Sequence, residues 1–409
     1  MTGQKAQDVL ISQFNNKKIK ITLNGETLQE LPKKNFVNKD VINDILTNQL
    51  DTQSAAAWPL GLFKHQDIDI KSIFNHDEIQ KAEEPLKNWI NGYNQNKEDA
   101  KNANIAYEND TFVIKPEYEG TKIQTDKASV KILDAIENNK EEVNLDDCFV
   151  QPTLTKDDPK LQESLTNLQN ISNIKAQYKF NNQTVTIPNS EIIQWLEVDD
   201  KGNITVNQDE VKDFVKKMSD KYNTQGKNYT FNSTKQGEVQ VPCNVYSWSI
   251  DNKKEPTALA NAILKGEDFT RIPITKGSAS ANGPFIGKTY IEVDKTNQHM
   301  WLYKDGKVVI ETDVVTGKPG QDTPTGVFYV WKKEKNAILR GPGYASPVSY
   351  WMPIDWEGVG IHDSNWQTAY GGTRWRDGFG SHGCINTPPA IMAQLFNATP
   401  EGTPVIVIN

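Results

Sequence analysis

Between Lys276 and Pro284 the chain reads Gly277-Ser278-Ala279-Ser280-Ala281-Asn282-Gly283-Pro284, and the hydrophobic rhythm differs on its two sides. An unbroken run of small residues marks a connection rather than a core element. Upstream, short alternating stretches are interleaved with helical ones. Downstream, alternating stretches dominate and Gly and Pro punctuate them. A chain of 409 residues also exceeds what one small core organises. The pattern predicts α+β units at 1–140 and 141–268, a linker at 269–285, and a mainly-β, sandwich-like domain at 286–409.

In the upstream part, Ile19-Lys20-Ile21-Thr22-Leu23 before Asn24-Gly25 reads as a strand entering a hairpin turn. Asn38–Leu50 has helical spacing in Val41, Ile42, Ile45 and Leu46. Ile105–Ile114 reads as a hairpin around Glu108-Asn109-Asp110. Thr125–Asn138 reads as a helix capped by Thr125, with Val130, Ile132, Leu133 and Ile136 on its packed side. A similar order returns in the alternation of Tyr178, Phe180, Val185 and Ile187 around Asn181-Asn182. Ser190 is the expected cap of a helix from Glu191, and Asn207 the cap of Gln208–Tyr222. Ser249–Ile263 is helical in pattern, provided Pro256 lies in the first turn. Beyond the small-residue run, strands are expected at Thr289–Val293, His299–Tyr303, Lys307–Asp313, Gly326–Trp331 and Pro404–Ile408, with one helix at Pro389–Phe396.

The formal charge of -8 argues against a nucleic-acid partner, which calls for a basic surplus. Three cysteines, Cys148, Cys243 and Cys384, are too few for a disulfide scaffold and match no structural zinc spacing. Cys148 and Cys243 have two readings, a disulfide or two buried thiols. No run of 18 apolar residues occurs, and Met1–Lys5 lacks a basic-then-apolar signal segment. By itself that predicts a soluble cytoplasmic protein.

Chemistry concentrates in Gly378-Phe379-Gly380-Ser381-His382-Gly383-Cys384-Ile385-Asn386-Thr387-Pro388-Pro389. Gly380 and Gly383 permit unusual backbone angles and leave N–H groups accessible to an oxyanion. A thiol on such a turn is placed for reaction. Two histidines are candidate bases: His362, ending an apolar stretch, and His382, two residues before the cysteine. The residues alone leave open a Cys–His catalytic pair, a purely structural pair, or a metal site that lacks a convincing third ligand. Asp363 is a candidate orienter of His362, although adjacent side chains diverge; a backbone carbonyl is the other candidate. Tyr344, Tyr350, Trp351, Met352, Trp356, Trp366, Tyr370 and Trp375 form a largely aromatic concentration, serving either a groove or the core of a small β domain. The stretch from Tyr344 to Trp375, rich in glycine and aromatics without clear periodicity, reads as a candidate lid.

The segment Ser381-His382-Gly383-Cys384-Ile385-Asn386 resembles the signature of the YkuD-type L,D-transpeptidase catalytic domain. His362 stands 22 residues before Cys384, as that family's pattern places its histidine. Val315-Thr316-Gly317 and Thr323-Pro324-Thr325-Gly326-Val327-Phe328 resemble the first half of such domains. The resemblance covers about Thr289–Asn409; more weakly, the upstream units resemble the duplicated peptidoglycan-binding domains of Gram-positive members. It implies Cys384 as acylated nucleophile, His362 as base and Ser381 as its orienter. It further implies an oxyanion side at the N–H groups of His382, Gly383 and Cys384, with loop support from Asn386 and Gly380. Trp351, Trp366, Tyr370, Arg374 and Arg376 are the candidate substrate contacts.

The implied partners are peptidoglycan stem peptides, a donor tetrapeptide and an amine acceptor, with carbapenem-type β-lactams as inhibitors. No metal, nucleotide or redox cofactor is implied. The implied location is the outer face of the membrane or the wall of a Gram-positive bacterium, with an anchor outside the sequence given. Two other readings use the same residues: an L,D-carboxypeptidase or cross-link hydrolase, which gives the thioester to water, and an inactive wall-binding protein. A papain-like peptidase fits less well, because there the cysteine precedes its histidine.

Overall fold

The computed structural model describes residues 16–51, 73–341 and 343–409, with residues 5, 8, 9, 12 and 14. The expectation for Met1–Lys5 falls outside the described residues except at Lys5, and so does the side chain of Leu46. The chain divides into two compact bodies, Met1–Leu165 with Val198–Asn203, and Thr166–Glu197 with Ile204–Asn409.

In the first body, Lys18–Leu23 and Glu26–Pro32 pair antiparallel. Asn24 and Gly25 have φ of 52° and 79°, as a tight primed turn requires. Glu142–Asn144 joins Lys18–Leu23 in parallel. Ile19 and Ile21 share one core with Ile90, Ile132, Ile136 and Cys148. Helices form at Lys39–Asp51 and Thr125–Glu137. Asn38 Oδ1 caps the first, accepting the N–H groups of Asp40 and Val41 at 3.0 and 3.3 Å. The second lacks a side-chain cap: Gln124 is its N-cap, and Thr125 Oγ1 donates instead to Asn91 Oδ1 at 2.8 Å. Its buried stripe is Ala128, Ile132, Ala135 and Ile136, while Val130 is 61% exposed; helical spacing puts Val130 off that stripe. The hairpin Asn104–Glu108 with Thr111–Lys115 forms around Asn109-Asp110.

The second body opens with Ala176–Phe180, flanked by Gln183–Thr186 in antiparallel and Phe269–Arg271 in parallel pairing. Asn207 caps Gln208–Tyr222 by accepting the N–H groups of Asp209 and Glu210. Ser190 is no cap; Pro188 precedes the helix Asn189–Trp195, and Ser190 lies inside it. The helix expected from Ser249 starts at Glu255, with Pro256 in its first turn. Trp248–Ile250 is instead a strand paired with Thr275–Gly277.

The small-residue run is therefore built into the fold. Ala279 and Ala281 are buried, and Asn181 N–H donates to Ala281 O at 2.9 Å. A Cβ at Gly277, where φ is 126°, would lie 2.3 Å from Ser247 O. Small residues serve close approach here, where a linker was expected. The upstream region is also fastened to the C-terminal strands. Glu292, fully buried, accepts Ser233 Oγ at 2.7 Å and Thr234 N–H at 2.9 Å. Those donors end the strand Asn228–Ser233, which is hairpinned to Gly237–Pro242. A buried carboxylate needs such donors, so residues 228–242 and the C-terminal strands belong to one body.

That C-terminal part has two sheets. The first orders Lys307–Asp313, His299–Lys304, Tyr290–Asp294, Pro404–Ile408 and Gly326–Tyr329; the second orders Glu334–Gly341, Tyr344–Pro353, Gly360–Asp363 and Ile385–Thr387. Ile291, Val293 and Leu302 from one sheet share a core with Met352, Ile361 and Ile385 from the other, and with Met392 and Leu395 of the helix Pro389–Ala398. The domain is mainly β and sandwich-like. Cys148 and Cys243 are both free, buried thiols.

Gly277→Ala is expected to lower unfolding stability by roughly 2–4 kcal/mol, from positive φ and backbone overlap. Gly287→Ala, where a Cβ meets nothing within 4 Å, should stay within about 0.5 kcal/mol. Urea midpoints of the two variants check this; equal midpoints would mean the run behaves as a free linker.

Candidate active site

The site rests on a strand register. Gly360–Asp363 pairs in parallel with Ile385–Thr387, placing Ile361 opposite Ile385 and His362 opposite Asn386. On its other side His362 faces Trp351 in the antiparallel strand. Side chains opposite one another share a face, and faces alternate along each strand. Met352, Ile361 and Ile385 therefore form a row into the core, and all three are fully buried. Trp351, His362 and Asn386 form the row on the opposite face. Extending the register one rung puts Cys384 beside Gly360 and diagonal to His362, about 7–8 Å between Cα atoms. Trp351, His362, Cys384 and Asn386 line a single cavity of about 460 Å³.

His362 is buried, and its Nδ1 lies 2.8 Å from the Asp363 carbonyl. That contact assigns the Nδ1 proton and leaves Nε2 as the open nitrogen. The Asp363 carboxylate points elsewhere: it accepts the N–H groups of Ser349 and Tyr350 at 3.0 and 2.7 Å. Ser381 does not orient His362 either. Its hydroxyl donates to Cys384 O at 2.6 Å and accepts Gly383 N–H at 3.0 Å, closing the loop on itself. Gly383 N–H is thereby taken, whereas those of His382 and Cys384 meet no acceptor among the described residues.

Residues far upstream hold this loop. Thr323 Oγ1 donates to Gly383 O at 2.7 Å and accepts Gly317 N–H at 2.9 Å. Ser381 N–H donates to Thr316 O, and Lys318 N–H to Ser381 O, both at 3.0 Å. Thr316 is in turn gripped by the buried Gln298 amide, with contacts of 2.7 and 3.0 Å. Gly380 is required for space rather than for angle: its φ is ordinary, and a Cβ would lie 2.2 Å from Trp375 O. Asn386 exchanges backbone hydrogen bonds with Val315, while its buried Oδ1 has no partner among the described residues. Cys384 does not run directly into a helix; the strand Ile385–Thr387 intervenes.

Desolvation pushes the Cys384 thiol up to about 11; the Gly360 N–H opposes the rise and the Asp355 charge adds to it. Cys384 Sγ lies 3.6 Å from Gly358 O. Desolvation also holds His362 below the usual histidine value, against the Asp363 hydrogen bond and charge. The pair thus rests as neutral thiol and neutral imidazole near pH 7, and the imidazole is free to take a proton. His382 is exposed, its ring stacked on Tyr344 at 4.8 Å, with Lys318 Nζ 3.4 Å from Nε2.

Of the candidate substrate contacts, Trp351 and Trp366 line the cavity. The other three do not. Tyr370 is tied to Ser364 O at 2.7 Å, Arg374 lies over the Phe379 ring at 3.9 Å, and Arg376 is solvent-exposed in Trp375–Phe379. The cavity is lined as well by Ile338, Leu339, Arg340, Tyr344 and Ser346, from a hairpin of Glu334–Gly341 and Tyr344–Pro353. Alternation on both sides of Gly341-Pro342-Gly343 was the signal for that hairpin. Tyr344–Pro353, assigned above to an irregular lid, is regular strand.

Residues 288–407 match the family model described as L,D-transpeptidase catalytic domain. Residues 67–144 and 153–271 match the model described as "Putative peptidoglycan binding domain". L,D-transpeptidase 1 of Mycobacterium tuberculosis is 28% identical over 136 residues, 30% of this chain and 52% of that protein. The chain thus spans about half the length of that curated relative. The crystal structure of a cysteine-to-serine mutant of Enterococcus faecium L,D-transpeptidase is 53% identical, covering 60% of this chain and 100% of that one, with a TM-score of 0.58. The Ldtfm–avibactam carbamoyl enzyme is also 53% identical, covering 61% of this chain and 99% of that one, with a TM-score of 0.59.

The protonation state is directly measurable. Alkylation of Cys384 by iodoacetamide in the free protein should rise with pH toward an apparent pKa of about 11, with only a small rate at pH 7. Mass spectrometry of the Cys384 peptide reads it; a plateau reached by pH 7 would instead indicate a preformed thiolate–imidazolium pair.

Proposed function

Because the chain belongs to the L,D-transpeptidase family, we propose that its C-terminal domain makes 3→3 cross-links in peptidoglycan through a thioester on Cys384. One observation carries this reading: on a single sheet face, His362 keeps Nε2 open toward the cavity that Cys384 also lines.

In the first half-reaction, Cys384 Sγ gives its proton to His362 Nε2. The sulfur attacks the carbonyl at the L-centre of the third residue of a donor tetrapeptide. The N–H groups of His382 and Cys384 receive the oxyanion; Gly383 N–H stays with Ser381, which acts as a positioning residue. The C–N bond to terminal D-alanine breaks, and His362 returns the proton to the departing amine. A thioester remains. In the second half-reaction an amine of a neighbouring stem attacks that thioester, and His362 takes the amine proton. The C–S bond breaks, leaving a new amide, and the thiolate recovers its proton from His362.

A carbapenem acylates the same sulfur by opening its strained amide. The regions matching the peptidoglycan-binding model support work at the cell wall, with stem peptides as partners, outside the membrane of a Gram-positive cell. No described helix is long and apolar enough to cross a membrane.

The test is intact mass of protein and products after incubation with purified disaccharide tetrapeptide. Wild-type protein should give a cross-linked dimer lacking one D-alanine, and Cys384→Ala none. His362→Ala should lower the rate about 10²–10⁴-fold. Tripeptide without dimer would reassign the domain as a carboxypeptidase. Neither adduct nor product would leave a wall-binding role.

A further inference from the structure

The turn between the strands Tyr344–Pro353 and Gly360–Asp363 carries Trp356, which is 68% exposed, more than any other large apolar side chain among the described residues. Leaving an indole in water forgoes the stabilisation of burying it, and the fold holds this one in place. Its ring lies against Trp331, centroids 4.5 Å apart and planes 31° apart. Trp331 Nε1 donates to Asp355 O at 2.8 Å. The Asp355 carboxylate fixes the turn by accepting the N–H groups of Glu357 and Val359 at 3.0 and 2.7 Å. Two steps along the chain, Gly358 O is 3.6 Å from Cys384 Sγ. The exposed indole and the thiol are thus joined by one short, stiff turn.

We propose that Trp356, backed by Trp331, is a stacking platform for a sugar ring of the glycan portion of the substrate, on the rim of the acyl-transfer site. This rests on the reading of Cys384 as the acylated residue. The apolar C–H face of a pyranose ring suits the flat face of an indole, and it needs an aromatic that is exposed and pre-positioned. Reach is consistent. The peptide between the scissile carbonyl and the sugar spans three residues, about 10 Å when extended. Trp356 lies two residues, about 7 Å of chain, beyond a carbonyl already touching the thiol. A purely structural indole would be covered, and a protein-docking patch would extend over neighbouring apolar side chains. Here the adjoining positions are the buried Asp355 and the exposed Glu357.

The experiment compares kcat/KM for the disaccharide tetrapeptide with kcat/KM for the free tetrapeptide, in wild-type, Trp356→Ala and Trp356→Tyr proteins. The ratio should fall about five- to tenfold in Trp356→Ala, chiefly through KM for the sugar-bearing substrate. Trp356→Tyr should recover most of it, because a flat ring is kept. A ratio unchanged in Trp356→Ala, or lowered equally in both variants, overturns the platform. Wild-type protein inactive on both substrates would instead overturn the reading of Cys384, a distinguishable outcome. Melting temperature and the Cys384 alkylation rate verify that each variant is folded.

Discussion

The parallel pairing of Gly360–Asp363 with Ile385–Thr387 is the constraint on which the site depends. It joins segments that the chain keeps 22 residues apart, counting from His362 to Cys384, and it sets which residues face the cavity. A slip of one residue would exchange the faces, sending His362 into the core and Ile361 into the cavity. The row Met352, Ile361 and Ile385, fully buried, opposes that slip, since each isoleucine contributes about 1.5–3 kcal/mol by staying out of water. The apolar face therefore stabilises the arrangement that the polar face uses. The glycine-rich loop depends on the same register, because Asn386 is bridged to Val315 and brings the Thr316–Thr323 supports against Ser381 and Gly383.

Burial moves the two central groups in opposite senses. The thiol is harder to ionise and the imidazole harder to protonate, so a resting ion pair is disfavoured from both sides. A neutral, half-buried thiol is also slow toward small oxidants. The geometry of His362 contributes as well. With Nδ1 held by a carbonyl, the Asp363 carboxylate acts on the ring only through its charge, which opposes the effect of burial without overcoming it.

Much of this was legible in the sequence where local rules decide. Turns at Asn24-Gly25, Asn109-Asp110 and Asn181-Asn182 carry residues that tolerate positive φ, and all of them have it. Asn207 caps a helix as its position suggests. Cys384 stood out by residue type on its glycine turn, whereas His362 was separated from His382 only by the family resemblance; both His362 and Cys384 line one cavity. Failures came where two physical causes share one residue pattern. Small residues at 277–283 suit either flexibility or close approach, and only the backbone of Ser247 decides between them. Thr125 and Ser190 are good cap types, yet Gln124 and Pro188 occupy the cap positions. Arg374 and Arg376 are near the motif in sequence but do not line the cavity, while Arg340 does, brought there by a hairpin far upstream of the motif.

The turn after Tyr344–Pro353 shows how few bonds connect chemistry to surroundings. The Asp355 carboxylate accepts two N–H groups of its own turn, and its charge helps to keep the Cys384 thiol protonated. The same residue's carbonyl receives the Trp331 indole, which sets the stack with Trp356. Ile354 N–H and Asp355 N–H both reach Val359 O, so the turn closes tightly and Gly358 O is held against the sulfur. These contacts place the exposed tip and the carbonyl facing the thiol within one hydrogen-bonded turn. Trp356 and the carbonyl that faces the thiol therefore belong to one turn, while the hydrophobic row that fixes the register of His362 lies on the opposite face of the sheet.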